Sequence, residues 1–381
     1  FGRSGTGLMH SLIDGHPNVS TLPSIYFSEY FDYSTWTQII SDGWNGMVDQ
    51  FTSLYDILFD ANSSIPVFSK SKTLQHNIGI TDGMVAVGDQ KDEVLSVDKD
   101  LFSLELKTLM ACYGELDASV FFKLVHLAYD KALNDLNPKS IIFYHVHNPD
   151  AGAKLNFARL HPSARWLIMV REPMQSCESW IRRSFHENDY FGVVHRILTM
   201  LFEIDNSIHR RQNTIGVRLE DLKIKPKETI PALCKWMGIE EHEQLYRMTA
   251  QNKKWWGDPN SPDYEKDGYD PFGKTSIERK VGSIFSKKDQ LIIGTLFYPF
   301  SVRFGYVNEN FAQFRENLQI IRPFLDETFD FEKKILDRVS HGIESVINSG
   351  SYVYLRSGLI ERWNTLNMYQ TYPGMIKPLK I

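Results

Sequence analysis

Residues 1–17 read FGRSGTGLMHSLIDGHP, a glycine-bracketed Arg-Ser-Gly-Thr turn running directly into an amphipathic segment. No other stretch narrows the fold as much. Gly2, Gly5 and Gly7 let successive backbone N–H groups turn inward, Arg3 adds a guanidinium, and Ser4 and Thr6 add hydroxyls. A helix starting at about Leu8 would aim its positive dipole end at the same point, so the stretch predicts a phosphate site at a strand-to-helix turn. Such turns belong to α/β proteins whose ligands sit at the carboxyl ends of parallel strands.

Gly2 to Gly7 has the outer glycine spacing of the nucleoside-triphosphate signature G-x-x-x-x-G-K-[ST]. Leu8 and Met9 stand where that signature needs the lysine that reaches the β- and γ-phosphates and the hydroxyl that holds Mg²⁺. The sequence therefore argues against magnesium-assisted phosphoryl transfer. With Arg3 as its cation, the loop suits a 5′-phosphate whose transferable group needs no bound metal.

The loop resembles that of the sulfotransferases that use 3′-phosphoadenosine 5′-phosphosulfate (PAPS). Their 5′-phosphosulfate turn reads roughly [KR]-S-G-T-[TS]-L, and in one large branch it continues L-x-D-x-H-P. Here Arg3-Ser4-Gly5-Thr6-Gly7-Leu8 is followed by Leu12, Asp14, His16 and Pro17. The resemblance implies the P-loop-like sulfotransferase fold: an α/β domain with a central parallel sheet and helices on both faces. It also implies PAPS as donor, 3′,5′-adenosine bisphosphate as product, and no metal. Gly7 departs from the family, where a hydroxyl residue is usual, so one side-chain contact to the 5′-phosphate passes to backbone or is lost.

The same resemblance implies a second motif, an arginine ending a strand and a serine eight residues later, both directed at the 3′-phosphate. Arg165-Trp166-Leu167-Ile168-Met169-Val170 is an apolar run suited to a buried parallel strand, and Arg171-Glu172-Pro173 opens a helix with proline in its first turn. Arg171 and Ser179 have the required spacing, and a guanidinium with a hydroxyl can make charge-assisted bonds to one phosphate. An Arg-x-Pro turn is also a plain strand-to-helix connection in many α/β proteins. Its place about 165 residues after the loop, in the family's order, favours the phosphate role. Gly216 to Leu222 resembles the family's strand ending in a [YR]-x-E-D-L turn, with Lys225-Pro226 and a helix to Gly238 after it. Arg279-Lys280-Val281-Gly282 resembles the late basic loop that closes over the nucleotide, a solvated basic turn being the competing reading.

Transfer to a hydroxyl needs a general base. Lys139 to Tyr144 reads as a strand, and it ends in His145-Val146-His147-Asn148-Pro149. Cytosolic sulfotransferases have a strand ending in K-T-H-x-P, which laid here puts His147 on the catalytic histidine and His145 on the lysine. His147 is the expected base, with Arg3 stabilising charge on the departing phosphate. An imidazole titrating near about 6.5 serves at neutral pH, and alternation along a strand turns His145 and His147 to one face. A metal-ligand pair would need a third ligand that the sequence does not place, and a hydrogen-bonded structural pair is the other alternative. The tyrosylprotein branch uses a glutamate shortly after D-x-H-P. Thr21-Leu22-Pro23-Ser24 hold those positions here, with no carboxylate before Glu29, which weakens a tyrosine-sulfating reading.

The chain has 381 residues, a formal charge of −5 and 42% hydrophobic residues, without basic blocks, repeats or low-complexity tracts, so nucleic acid is not an expected partner. Cys112, Cys177 and Cys234 lie in apolar helical contexts and are expected as buried thiols. No apolar run of membrane-spanning length and no signal-peptide pattern occurs, and a cytoplasmic location is expected. Because the family's loop follows a first strand, a segment before Phe1 is expected, with room for an anchor or targeting signal. Asn18 and Asn62 sit in N-x-[ST] sequons, read as coincidence.

Ser34 to Asp60 and Asp98 to Leu136 carry helical apolar spacing, with Phe121, Val125, Ala128 and Ala132 on one face, and are expected to wall the acceptor pocket. Ile65 to Val97 reads as loops. The aromatic cluster from Tyr26 to Trp36 reads as core packing ahead of acceptor stacking. Asn252 to Pro259, with Trp255 and Trp256, reads as a lid over nucleotide or acceptor or as an anchored surface loop. Residues 1–307 are expected to form the PAPS-dependent domain. Residues 308–381 form a helical extension that packs on the core, caps the acceptor site or forms an oligomer interface. The acceptor is a saccharide, a lipid headgroup, a phenol or another small alcohol. The alternatives are a P-loop-like nucleotide kinase and a non-catalytic nucleotide-binding protein that keeps the phosphate motifs without a working base.

Overall fold

The computed structural model describes residues 4–23, 29–63, 78–146, 151–204, 206, 213–259, 270–338, 350–368 and 375–381. Through the first half of the chain run α1 (Thr6–Ile13), β1 (Val19–Thr21), α2 (Tyr33–Ile39), α3 (Gly43–Leu54), α4 (Ile78–Thr81), α5 (Lys99–Met110), α6 (Ala118–Ala132), β2 (Ile141–Phe143), α7 (Ala151–Leu160), β3 (Trp166–Val170) and α8 (Pro173–His186). The second half adds α9 (Tyr190–Glu203), β4 (Thr214–Arg218), α10 (Leu219–Ile224), α11 (Pro226–Met237), β5 (Thr249–Ala250), β6 (Lys253–Lys254), α12 (Lys287–Arg303), α13 (Phe311–Ile321), α14 (Asp330–Leu336), α15 (Gly350–Met368) and β7 (Lys377–Pro378). They form two compact units, each discontinuous in sequence. The β3 unit comprises Phe1–Gly5, Arg165–Lys225 and Ile277–Ile381, and the β1 unit comprises Thr6–Ala164 and Pro226–Ser276.

The expected α/β class is observed. In the β3 unit, β3 pairs in parallel with β4 along its whole length, from Trp166 opposite Thr214 to Val170 opposite Arg218, and β4 pairs in parallel with β7. A parallel sheet is covered on both faces, which is why β3 reads as an unbroken apolar run. The helix after it is set locally: Pro173 occupies the first turn and the Glu172 carboxylate caps the Gln175 N–H at 2.6 Å. The apolar faces of α8, α9 and α12 share one core with α13, α14 and α15, through Ile181, Val193, Phe297, Phe314, Leu325 and Leu359 among others. Phe314, Leu318, Leu325, Ile335 and Leu359, all after residue 307, thus belong to this core. Gly358 lets α15 approach α9 closely, since a Cβ there would lie 2.5 Å from Leu198 Cδ2. Beside it, the fully buried Glu332 pairs with Arg356, accepts the Tyr190 hydroxyl proton at 2.5 Å and accepts the Phe329 N–H at 2.7 Å.

In the β1 unit, β1 and β2 pair in parallel, Val19 opposite Ile141 through Thr21 opposite Phe143. Phe121, Val125 and Ala128 are buried as the spacing predicts, and Ala132 packs against the same cluster. Tyr30 and Phe31 are buried in it too, so those members of the aromatic run are core residues. The helical stretches are shorter than the periodicity suggests. Gly43, at φ +69°, separates α2 from α3, and the Asp117 side chain caps a new helix, α6, after α5 has ended at Met110. Cys112 falls in that gap and is exposed, which corrects the expectation of three buried thiols; Cys177 and Cys234 are buried. α11 stops where expected, at Gly238 with φ +75°, whose N–H bonds the Cys234 carbonyl at 2.8 Å. No described helix is long and apolar enough to cross a membrane.

The Glu332 network yields a stability test. Arg356→Ala would leave a buried carboxylate without its ion partner and should cost about 3–5 kcal/mol in urea unfolding. Lys107→Ala, which removes the exposed pair with Asp49, should change stability by less than about 1 kcal/mol.

Candidate functional site

In the β3 unit, the first loop is fastened to the carboxyl ends of two strands. Ser4 is fully buried, and its Oγ donates to the Met169 carbonyl of β3 at 2.9 Å. Gly5 follows at φ +87°, in the left-handed region, and a Cβ there would lie 2.7 Å from Leu219 Cδ1, just past β4. Glycine at this position therefore answers both a backbone and a packing demand. Arg171 is the first residue after β3, two beyond the carbonyl that Ser4 grips; it is 2% exposed, and its Nη2 donates to Gln175 Oε1 at 3.2 Å.

Ser179 lies in the second turn of α8, half-buried, and Arg279 reaches it across 100 residues of sequence, Nη1 to Oγ at 3.4 Å. Lys280 is exposed. The structure thus brings Ser4 and Gly5 to the strand end that carries Arg171, and Arg279 to Ser179 on the helix that Arg171 precedes. The Arg218–Leu222 segment contributes support. Glu220 accepts the Glu172 N–H at 2.9 Å and the Tyr306 hydroxyl at 2.9 Å, and the Arg218 guanidinium stacks over the Tyr306 ring at 4.6 Å. Burial, with Glu220 close by, pushes the Tyr306 phenol well above its ordinary range.

The remaining expected residues lie in the β1 unit. Thr6 opens α1 two residues earlier than expected because the glycine turn at Gly5 ends immediately before it, and Gly7 and Leu8 fall in the first turn. Gly7 is exposed, and a Cβ there would meet the Trp255 ring at 3.9 Å. Trp255 and Trp256 are anchored: their indole N–H groups donate to the carbonyls of Asp82 at 2.8 Å and Gly88 at 2.7 Å, and Gly88 N–H returns a bond to Lys254 at 2.8 Å. The anchored-loop alternative is what these bonds describe.

Asp14 and His16 are structural pins. Asp14 accepts from the hydroxyls of Thr21 and Thr249, each at 2.8 Å, and from the Asn252 N–H at 3.1 Å, while His16 Nδ1 accepts the Asn18 N–H at 3.2 Å. His16 Nε2 is then the protonated nitrogen and donates to the Glu240 carbonyl at 3.0 Å.

His147 lies outside the described residues, as does Arg3. His145 is buried, and its ring centroid is 5.4 Å from that of His10, a residue the sequence did not single out; His10 also stacks at 5.9 Å on Phe143. Its signal was only its place one turn into α1. Burial lowers the His10 imidazole, opposed by the Asp14 carboxylate. Burial holds His126, whose Nδ1 lies 3.1 Å from Ser20 Oγ, down at about 3. Among the described residues, no three His, Cys, Asp or Glu side chains converge as metal ligands.

No family model matches this chain, and no curated protein matches it. A solved structure described as the sulfotransferase domain from the Synechococcus PCC 7002 olefin synthase is similar at 14% identity and a TM-score of 0.37, covering 78% of this chain and 91% of that one.

Two outcomes follow from the geometry. Gly5→Ala should destabilise by about 1–3 kcal/mol in thermal or urea unfolding, through strain at positive φ and the contact with Leu219. His126 is neutral in the folded protein and protonates near 6.5 when unfolded, so its stabilising contribution is complete above about pH 6.5 and is lost as pH falls toward 3. His126→Phe should therefore shrink the stability lost between pH 7 and pH 4 by on the order of 3 kcal/mol, read as urea midpoints at the two pH values.

Proposed function

We propose that this chain is a sulfotransferase of the P-loop-like fold that moves the sulfuryl group of PAPS to an acceptor hydroxyl. The observation that carries this reading is the bond from Ser4 Oγ to the Met169 carbonyl, which joins the first loop to β3 immediately before Arg171. Two segments that the resemblance marks as phosphate motifs meet at one strand end, where open α/β sheets bind ligands. The donor set suits a bisphosphate: guanidinium groups of Arg3, Arg171 and Arg279, the Ser179 hydroxyl, the Lys280 ammonium, and backbone N–H groups from Ser4 through Leu8. Ser4 would serve through its backbone, because its hydroxyl proton is given to Met169.

In this reading, Arg3 with the Ser4–Leu8 turn holds the 5′ end, and Arg171, Ser179, Arg279 and Lys280 hold the 3′-phosphate. When bound, PAPS supplies a sulfuryl group attached to a phosphate leaving group. His147 takes the proton from the acceptor oxygen, His145 stands beside it on the same segment, and Arg3 stabilises the negative charge that develops on the phosphate side. No metal is assigned a role. The acceptor is a saccharide, a lipid headgroup, a phenol or another small alcohol.

Calorimetric titration with 3′,5′-adenosine bisphosphate, against ATP with Mg²⁺, tests the reading. Micromolar binding of the bisphosphate, abolished by Arg171→Ala, is expected; preference for MgATP would return the chain to the kinase class. His147→Ala should leave that affinity unchanged and lower transfer by about 10²–10⁴-fold, and unaltered transfer would remove His147 from the mechanism.

A further inference from the structure

In the basic loop containing Arg279 and Lys280, the Arg279 guanidinium reaches α8 through a 3.4 Å bond to Ser179. Its far side is held by more bonds, several of them to one carboxylate. Glu178, adjacent to Ser179, is 2% exposed, and its carboxylate accepts the Gly282 N–H at 3.0 Å, the Ser283 N–H at 3.1 Å, the Ser283 hydroxyl at 2.6 Å and the Phe285 N–H at 3.2 Å. Three backbone donors within four residues point at one carboxylate only because the chain turns at Gly282, at φ +126°. Ile284 and Phe285 then sink into the core, and Ser286 caps α12, which anchors the downstream end of the loop.

We propose, resting on the PAPS reading, that Glu178 is a positioning residue that sets the register of the 279–285 loop against α8 and so holds the Arg279 guanidinium at Ser179, where the 3′-phosphate binds. A carboxylate beside an anion site opposes the anion by charge alone. Here four hydrogen bonds turn both its oxygens toward the loop backbone. Burial pushes the Glu178 carboxyl up, but the Ser283 hydroxyl and the backbone N–H groups outweigh it and hold the group below its ordinary range. Glutamine at this position would keep one acceptor and set an amide N–H₂ against N–H groups; alanine would leave the donors of Gly282, Ser283 and Phe285 without an acceptor.

The test is a double-mutant cycle on affinity for 3′,5′-adenosine bisphosphate, measured by calorimetry on the full chain with Glu178→Gln, Arg279→Ala and both together. Glu178→Gln is expected to weaken binding about tenfold, Arg279→Ala by at least as much, and the double variant no further than Arg279→Ala, because Glu178 acts through Arg279. Additive losses, or an unchanged affinity for Glu178→Gln, would overturn the proposal. Should Glu178→Gln not fold, Ser283→Ala removes one of the bonds and is expected to weaken binding about two- to threefold, again only while Arg279 is present; equal losses with and without Arg279 would count against the clamp. Binding by the wild type that is lost in Arg171→Ala but insensitive to Glu178 would sink the clamp and keep the PAPS reading, whereas a wild type that does not bind the bisphosphate would sink both.

Discussion

The β3–β4 parallel pair is the constraint on which the β3 unit depends. Two adjacent parallel strands cannot be joined by a tight turn, and neither face of the pair tolerates water. The connection through α8 and α9 covers part of the pair, and α12 to α15 add to the same core. The need extends to the last residues of the chain: β7 completes the sheet beside β4, with Leu379 N–H bonded to the Gly216 carbonyl at 2.8 Å. Gly216 is small because the Phe304 ring and Ile376 press against it. The C-terminal residues are therefore part of what makes β3 and β4 a stable platform.

Once the strand ends are fixed, the chemistry at them follows from how charges are distributed. Carboxylates crowd the same region as the arginines, yet each has a defined partner. Glu172 caps α8, Glu178 binds the 282–285 backbone, and Glu220 holds the Glu172 N–H and the Tyr306 hydroxyl. Burial raises the Glu172 carboxyl while the capped N–H groups pull it back, and the denser set of donors tips Glu178 the other way. Acidic groups bonded to backbone N–H groups and a phenol order the turns that carry Arg171 and Arg279.

What the sequence revealed of this arrangement was its local part. The apolar run of β3, Pro173 at the start of α8, and the glycines at 5 and 238 each act within a few residues, so their signals survive in sequence. The bond between Ser4 and Met169 and the reach of Arg279 to Ser179 join residues 165 and 100 positions apart, and only family order hinted at either. Asp14 was visible as a motif letter but not as the acceptor that ties β1 and β5 to α1, because its partners are hydroxyls on distant segments. β7 escaped notice for another reason: two residues, one of them proline, carry no strand periodicity, and only the exposed edge of β4 defines them.

The imidazoles of the β1 unit show how burial sets basicity before any ligand enters. His126 sits at about 3 because burial favours its neutral form, while for His10 the same force is opposed by Asp14 four residues on. A neutral imidazole is competent to accept a proton, but deep burial makes it a weak base, since the imidazolium formed has lost its hydration. A useful base in such surroundings needs a carboxylate within reach or contact with solvent, so that accepting the proton is not prohibitive at neutral pH. Of His10 and His126, His10 has that compensation and lies against His145, whereas His126 lies against Ser20. His10 and Asp14 thus set the polarity beside His145.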